Sequence, residues 1–199
     1  MTLLDLRGHR LVLASASPRR FDLLRSVGLE FDVLPADIDE AALDGELPSS
    51  YVARLAREKA LVVAGRVSTD AIVVGADTTV DVDGQILEKP VDHDDARTML
   101  RLLSGRAHAV HTGVSVVVST QVVWTEVVST IVEFVELSDA TIEWYLATGE
   151  ADGKAGSYGI QGVAAAFVRR VEGSITNVIG LPLAETLALL QRRVSVAGD

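Results

Sequence analysis

Two long β-forming segments lie back to back near the middle of the chain, from His108 to Val118 and from Val122 to Leu137, separated only by Ser119 to Gln121. A connection that short pairs its strands antiparallel, because a parallel pair needs a crossover of about a dozen residues or more. The central hairpin therefore argues against a strict Rossmann sheet, and no Gly-x-Gly-x-x-Gly follows the first strand.

Other segments alternate around this hairpin. Leu11 to Ala14 reads as a short buried strand, and Pro18 suits the first position of a helix carrying Phe21, Leu24 and Val27 at helical spacing and ending at Gly28. Phe31 to Leu34 is a second strand, and Pro35 to Glu46 an acidic loop. Ser49 or Ser50 is expected to cap a helix running to about Ala64, with Val52, Leu55, Ala56 and Val63 on one face. Ala71 to Val82 is a strand, turned by Asp83-Gly84 into a return at Gln85 to Leu87. Asp92 opens a helix with Ala96, Met99, Leu100 and Leu103 inward, closed by Gly105. Ser138 or Asp139 caps another to about Ala147. Thr148 to Gly162 reads as loop, Val163 to Val168 as strand, and Glu172-Gly173-Ser174 as turn. The last helix spans Leu183 to Val194, with Leu183, Leu187, Leu190 and Val194 inward. There is no repeat, linker or low-complexity stretch, so the expectation is one mixed α/β domain over residues 1–199.

Composition narrows the chemistry. The chain has 199 residues, 48% of them apolar, enough to bury a core. Without cysteine it can hold neither a disulfide nor a thiolate zinc site, which is compatible with a reducing cytoplasm. Met1 to Arg10 does not read as a signal peptide, and the apolar runs are too short for a membrane helix, so a soluble protein is expected. A net charge of −10 argues against a broad nucleic-acid-binding surface. It leaves room for a phosphorylated small molecule, because a few cations can dominate a cleft.

Five segments could supply such a cleft. Ser15-Ala16-Ser17-Pro18-Arg19-Arg20, between a strand and a helix start, reads equally as a phosphate cradle or as a helix cap followed by two solvated arginines. Lys59 falls on the inward stripe of its helix, whether to serve a site or to snorkel outward, while Arg54 and Arg57 fall off the stripe and read as solvated. Asp77 is a carboxylate inside an apolar strand, costly unless paired or hydrogen-bonded, and is either structural or functional. Lys89 follows in Glu88-Lys89-Pro90, with a solvated loop lysine as the plain reading. Gly153 to Gly162 has four glycines that permit close approach to a ligand, though a surface loop has the same composition. Gln161 there offers a donor and an acceptor suited to a base edge. The four histidines form no metal-ligand pattern, and neither a P-loop nor a Gly-x-Ser-x-Gly elbow is present.

Ala14 to Arg20, Arg57-Glu58-Lys59-Ala60, Gly75-Ala76-Asp77-Thr78, Glu88-Lys89-Pro90, Lys154 to Gly162 and Asn177 to Leu183 appear in that order along the chain. Together they closely resemble the Maf family of nucleotide pyrophosphatases, and the run ending Gly159-Ile160-Gln161-Gly162 resembles its subgroup acting on dTTP and UTP. Ile175 departs from the pattern, since many relatives carry an aromatic there. The resemblance implies an elongated mixed sheet flanked by helices, as in the related ITPases, with two lobes around a central cleft. It also implies a cytoplasmic homodimer that uses magnesium or manganese to cleave a nucleoside triphosphate to monophosphate and pyrophosphate. Carried over by position, Asp77 is the general base and shares a metal site with Glu40. Arg20, Thr78 and Gln161 correspond to substrate-choice positions, and Ser17, Arg19, Lys59 and Lys89 to phosphate-side positions. The alternative is a nucleotide-sensing regulator of septum formation that binds without turnover.

Overall fold

The computed structural model describes residues 4, 6, 8–118, 120 and 122–196, except for the side chains of residues 122 and 193–196. Strands β1 (Leu11–Leu13), β2 (Asp32–Val33), β3 (Ile72–Val82), β4 (Gln85–Leu87), β5 (Ala107–Val118), β6 (Val122–Phe134) and β7 (Val168–Glu172) form one mixed sheet. Its order is β2-β1-β3-β5-β6-β7, with β4 paired to β3. Strand β1 runs parallel to both β2 and β3, and every other pairing is antiparallel. The helices are α1 (Pro18–Ser26), α2 (Pro48–Ala64), α3 (His93–Leu103), α4 (Asp139–Leu146), α5 (Ile175–Ile179) and α6 (Leu183–Val196). The mixed α/β expectation and the central hairpin, β5–β6, are both met. Of the expected turn, Ser119 and Gln121 lie outside the described residues, as does the side chain of Val194.

Three local expectations need correction. Helix α2 starts at Pro48 with Leu47 as its N-cap and no side-chain cap; Ser49 and Ser50 lie in the first turn. Proline there already fixes a helical φ and has no N–H to satisfy. Val163–Phe167 is a 3₁₀ helix, and the strand begins at Val168. Three consecutive alanines, Ala164 to Ala166, supply little of the β-branched bulk that favours a strand. Helix α5 was not expected, because five residues are too few to show a period. The caps at Asp92 and Ser138 form as anticipated, accepting from the N–H groups of Asp95 and Thr141.

The core divides along the central strands. Ile72, Val74 and Ala76 of β3 and Val114, Val116 and Val118 of β5 pack with α1 and α6, whereas Val80, Val82 and Val110 pack with α3 and α4. Between these clusters the register pairs Asp77 with Gly113, Thr78 with Thr112 and Thr79 with His111, a polar waist across an otherwise apolar sheet. The waist is also where β3 loses its outer neighbour. Strand β1 pairs with β3 only at Ile72 to Val74, and β4 pairs only from Val80 onward, so in the sheet ladder Gly75 to Thr79 pair with β5 alone. Successive residues of a strand point to opposite faces. At this open edge, side chains from both faces reach one cleft.

Candidate active site

The gap beside β3 opens into a cleft lined by Ser17, Arg19, Arg20, Glu40, Lys59, Asp77, Thr78, Lys89 and Gln161. All nine candidate residues, drawn from six stretches of sequence, therefore meet in one place.

Helix α2 delivers Lys59. It lies directly on the sheet because two strand residues beneath it have no side chain. A Cβ on Gly75 would stand 2.3 Å from the Ala56 carbonyl oxygen, and one on Gly113 would stand 2.2 Å from that of Val52. This contact places the Lys59 ammonium 2.6 Å from Asp77 Oδ1 and 2.6 Å from Glu40 Oε1. Lys59 and Asp77 are only 6% and 8% exposed, so each ion has its counter-ion in the position where lacking one would be most costly. Lys89 Nζ approaches the other Glu40 oxygen at 3.2 Å. Burial raises the Glu40 carboxyl, but the hydrogen bond and charge of Lys59, with Lys89 beyond, outweigh it and hold Glu40 below the usual carboxylate range.

Glu40 belongs to the acidic loop, which is held in place by α2. The Tyr51 hydroxyl donates to the Glu40 carbonyl at 2.9 Å. Arg54 grips Glu46 through two hydrogen bonds of 2.7 and 2.6 Å and donates to the Ala41 carbonyl at 3.1 Å. Arg54 is thus not the solvated residue its position off the apolar stripe implied, whereas Arg57 is exposed as expected. Helical spacing shows which side chains miss the core but not where a neighbouring loop will fold over them.

The N-terminus of α1 forms another wall. Ser17 occupies the N-cap but its side chain makes no capping hydrogen bond, so the hydroxyl and first-turn amides remain available to a ligand. Arg20 is held at three points, donating to the Gly180 carbonyl at 2.8 Å, to Thr78 Oγ1 at 3.0 Å and to Ser15 Oγ at 3.1 Å. Burial lowers its pKa, with Asp77 acting in the opposite direction. A directed chain of hydrogen bonds continues inward. Thr112 Oγ1 donates its single proton to the Asn177 carbonyl at 3.0 Å, so at the 2.9 Å contact between the two threonines Thr78 is the donor. Asn177 Nδ2 in turn donates to the Val110 carbonyl at 2.9 Å and to Thr130 Oγ1 at 3.0 Å. Sequence reasoning gave no role to Thr112, Thr130 or the Gly180 carbonyl. Threonines are ordinary in strands, and a carbonyl carries no side-chain signal. Ile175 is 48% exposed and is not among the cleft-lining residues.

The loop carrying Gln161 is anchored at its centre. Gly156 takes φ 64° above Val80, where a Cβ would come within 2.7 Å of the valine, and its N–H donates to the Glu88 carbonyl at 3.2 Å. The Tyr158 hydroxyl pairs with His108 Nε2 at 2.8 Å, both groups buried. Burial pushes the His108 imidazole down to about 4 and raises the Tyr158 phenol, so both are neutral. His108 is structural, as its lack of a ligand pattern implied.

The family of Maf-like proteins matches residues 10–193, and the chain belongs to it. A dTTP/UTP pyrophosphatase of Anaeromyxobacter dehalogenans (strain 2CP-C) is 55% identical over 186 residues, covering 92% of this chain and 93% of its own length. Another from Vibrio cholerae is 49% identical over 183 residues, covering 92% and 97%. Among solved structures, the Staphylococcus aureus Ham1 protein aligns over 63% of this chain and 71% of its own, with a TM-score of 0.47 and 14% identity. Among the described residues no helix is long and apolar enough to cross a membrane.

Proposed function

We propose that this chain hydrolyses dTTP and UTP to the nucleoside monophosphate and pyrophosphate. The carrying observation is that one cleft gathers Arg19, Arg20, Lys59 and Lys89 around two converging carboxylates, Asp77 and Glu40. Four cations suit a triphosphate, and the carboxylates suit activation of a water. The Lys59 bond uses Asp77 Oδ1 and leaves Oδ2 to orient and deprotonate that water for attack on the α-phosphorus. The β- and γ-phosphates leave as pyrophosphate, their charge met by Arg19, Lys89 and the Ser17 end of α1. Arg20, Thr78 and Gln161 hold the nucleoside, with the Gln161 amide on the O4/N3 edge of the pyrimidine.

The donor set fits magnesium or manganese. Glu40 and Asp77 offer hard oxygens that already meet at one cation, the Lys59 ammonium. Two carboxylates completed by substrate phosphate and water are a usual arrangement for such ions. When bound, the ion would offset phosphate charge and make the attacking water more acidic. We also read the chain as a single-domain enzyme acting as a homodimer in the cytoplasm, in keeping with its family.

The test is chromatography of dTTP and UTP incubated with the purified chain and magnesium. Monophosphate with pyrophosphate is expected. Diphosphate with orthophosphate would overturn the reading, and tight nucleotide binding without turnover would establish the regulator instead.

A further inference from the structure

Lys154 faces the same cleft without an assigned part in it. Its stem lies against Gly159, where a Cβ would come within 2.9 Å of Lys154 Cε, so glycine at that position leaves the lysine its path. Its ammonium donates to the backbone carbonyl of Glu150, a neutral acceptor. The Glu150 carboxylate is turned elsewhere, accepting from the Val163 N–H at 3.0 and 2.8 Å. Lys154 thus brings a positive charge to the cleft wall with, among the described residues, no carboxylate in ion-pair contact and two of its three N–H donors uncommitted.

Arg19 is its counterpart. It lines the cleft from α1 and makes no hydrogen bond or ion pair among the described residues. The other cleft cations are differently placed, with Lys59 and Lys89 meeting carboxylates and Arg20 held by three protein acceptors. Arg19 and Lys154 also repel: burial comes first in lowering the lysine pKa and the arginine charge adds to it, with the charges of Glu150 and Asp152 acting in the opposite direction. Two like charges held at one cleft, neither of them ion-paired among the described residues, form a site that an anion completes.

We propose that Lys154 is a substrate-binding residue that, with Arg19, clamps the pyrophosphate portion of the nucleotide. The assignment rests on the pyrophosphatase reading and adds to it a cation from the loop that also carries Gln161. That loop is pinned between the two residues by Tyr158 on His108, so it presents a phosphate contact before the pin and a base contact after it. A triphosphate spans both, whereas either product engages one.

Calorimetric titration with magnesium pyrophosphate and, separately, with dTMP tests this on wild type, Lys154→Met and Lys154→Arg. Methionine keeps the stem against Gly159 and removes the charge. Pyrophosphate affinity should fall about tenfold or more in Lys154→Met, dTMP affinity should stay within about twofold, and Lys154→Arg should recover most of the loss. Unchanged pyrophosphate binding, or equal weakening toward both ligands, would overturn the proposal. If the methionine variant melts early, Lys154→Gln, which keeps a polar tip for the Glu150 carbonyl, decides by the same comparison. Because these are binding measurements, a wild type that releases no pyrophosphate from dTTP sinks the activity reading alone.

Discussion

Replacing Gly75 with alanine tests whether the approach of α2 to the sheet builds the site. The new Cβ would stand 2.3 Å from the Ala56 carbonyl oxygen, 2.7 Å from the Ala60 nitrogen and 2.9 Å from its Cβ. Carbon-to-oxygen contacts settle near about 3.3 Å, so the helix must rise by about 1 Å. It cannot do so locally, because Val52, Leu55, Ala56, Ala60 and Val63 are all fully buried on that side. Overpacking of this kind costs about 1–3 kcal/mol, against which the entropy gained by removing a glycine offsets about 0.4–1 kcal/mol. Rising with the helix, Lys59 would be carried from 2.6 Å to about 3.6 Å from Asp77, beyond hydrogen-bond range. Urea unfolding followed by circular dichroism should show a loss of about 1–2 kcal/mol. Pyrophosphate release from the protein that remains folded should fall at least about tenfold. Gly65→Ala is the control, since its Cβ meets nothing closer than 3.6 Å at an ordinary helical φ of −70°. If Gly75→Ala costs no more than this control and turns over normally, the close approach does not position Lys59 and the reasoning fails.

Three further outcomes are expected. Asp77→Asn should fold, because the amide oxygen can still accept from Lys59, yet lose about two orders of magnitude or more in kcat; a stable, nearly fully active variant would make Asp77 structural. Gln161→Glu should lower kcat/KM more for dTTP and UTP than for CTP and GTP, since a carboxylate cannot donate to O4, whereas an equal loss across all four would assign Gln161 to loop support. His108 is held near about 4 against an ordinary 6.5, so below pH 6.5 the unfolded chain takes up a proton that the folded one refuses. Its contribution is complete above pH 6.5 and shrinks as pH falls toward 4, by about 2 kcal/mol at pH 5. Urea unfolding at pH 7 and pH 5 should show a smaller acid loss in His108→Gln than in wild type; equal losses would place the acid sensitivity elsewhere.

The parts legible in the sequence are those set by local chemistry. The β5–β6 hairpin follows from a short connection between long β runs, and the Asp92 and Ser138 caps from side chains that can reach an N–H three residues on. Lys59 and Asp77 stood out because a charge in an apolar pattern must find a partner. What stayed hidden depends on distances between elements. The depth to which α2 sinks is set by Gly75 and Gly113 acting together, and nothing in either strand announces that a helix crosses there. The Arg54 grip on Glu46 and the Arg20 bond to the Gly180 carbonyl arise only once loop and helix lie side by side.

The hydrogen-bond chain from Arg20 through Thr78 and Thr112 to Asn177 and Thr130 also limits how this protein can drift in sequence. Thr112, Thr130 and Asn177 are fully buried, and Thr112 both accepts from Thr78 and donates to the Asn177 backbone. Changing any one of them to an apolar residue strands a neighbour's donor or acceptor, at about 1–3 kcal/mol, a large share of an ordinary stability margin. A viable path to a different arrangement must therefore alter two or more of these positions almost at once. Single substitutions are expected to accumulate where no partner is stranded, as at half-exposed Ile175, two residues before Asn177 on the same short helix. Inherited variation should accordingly be graded within α5 itself, free at exposed Ile175 and locked at Asn177, whose hydrogen bonds close the chain that begins at Arg20.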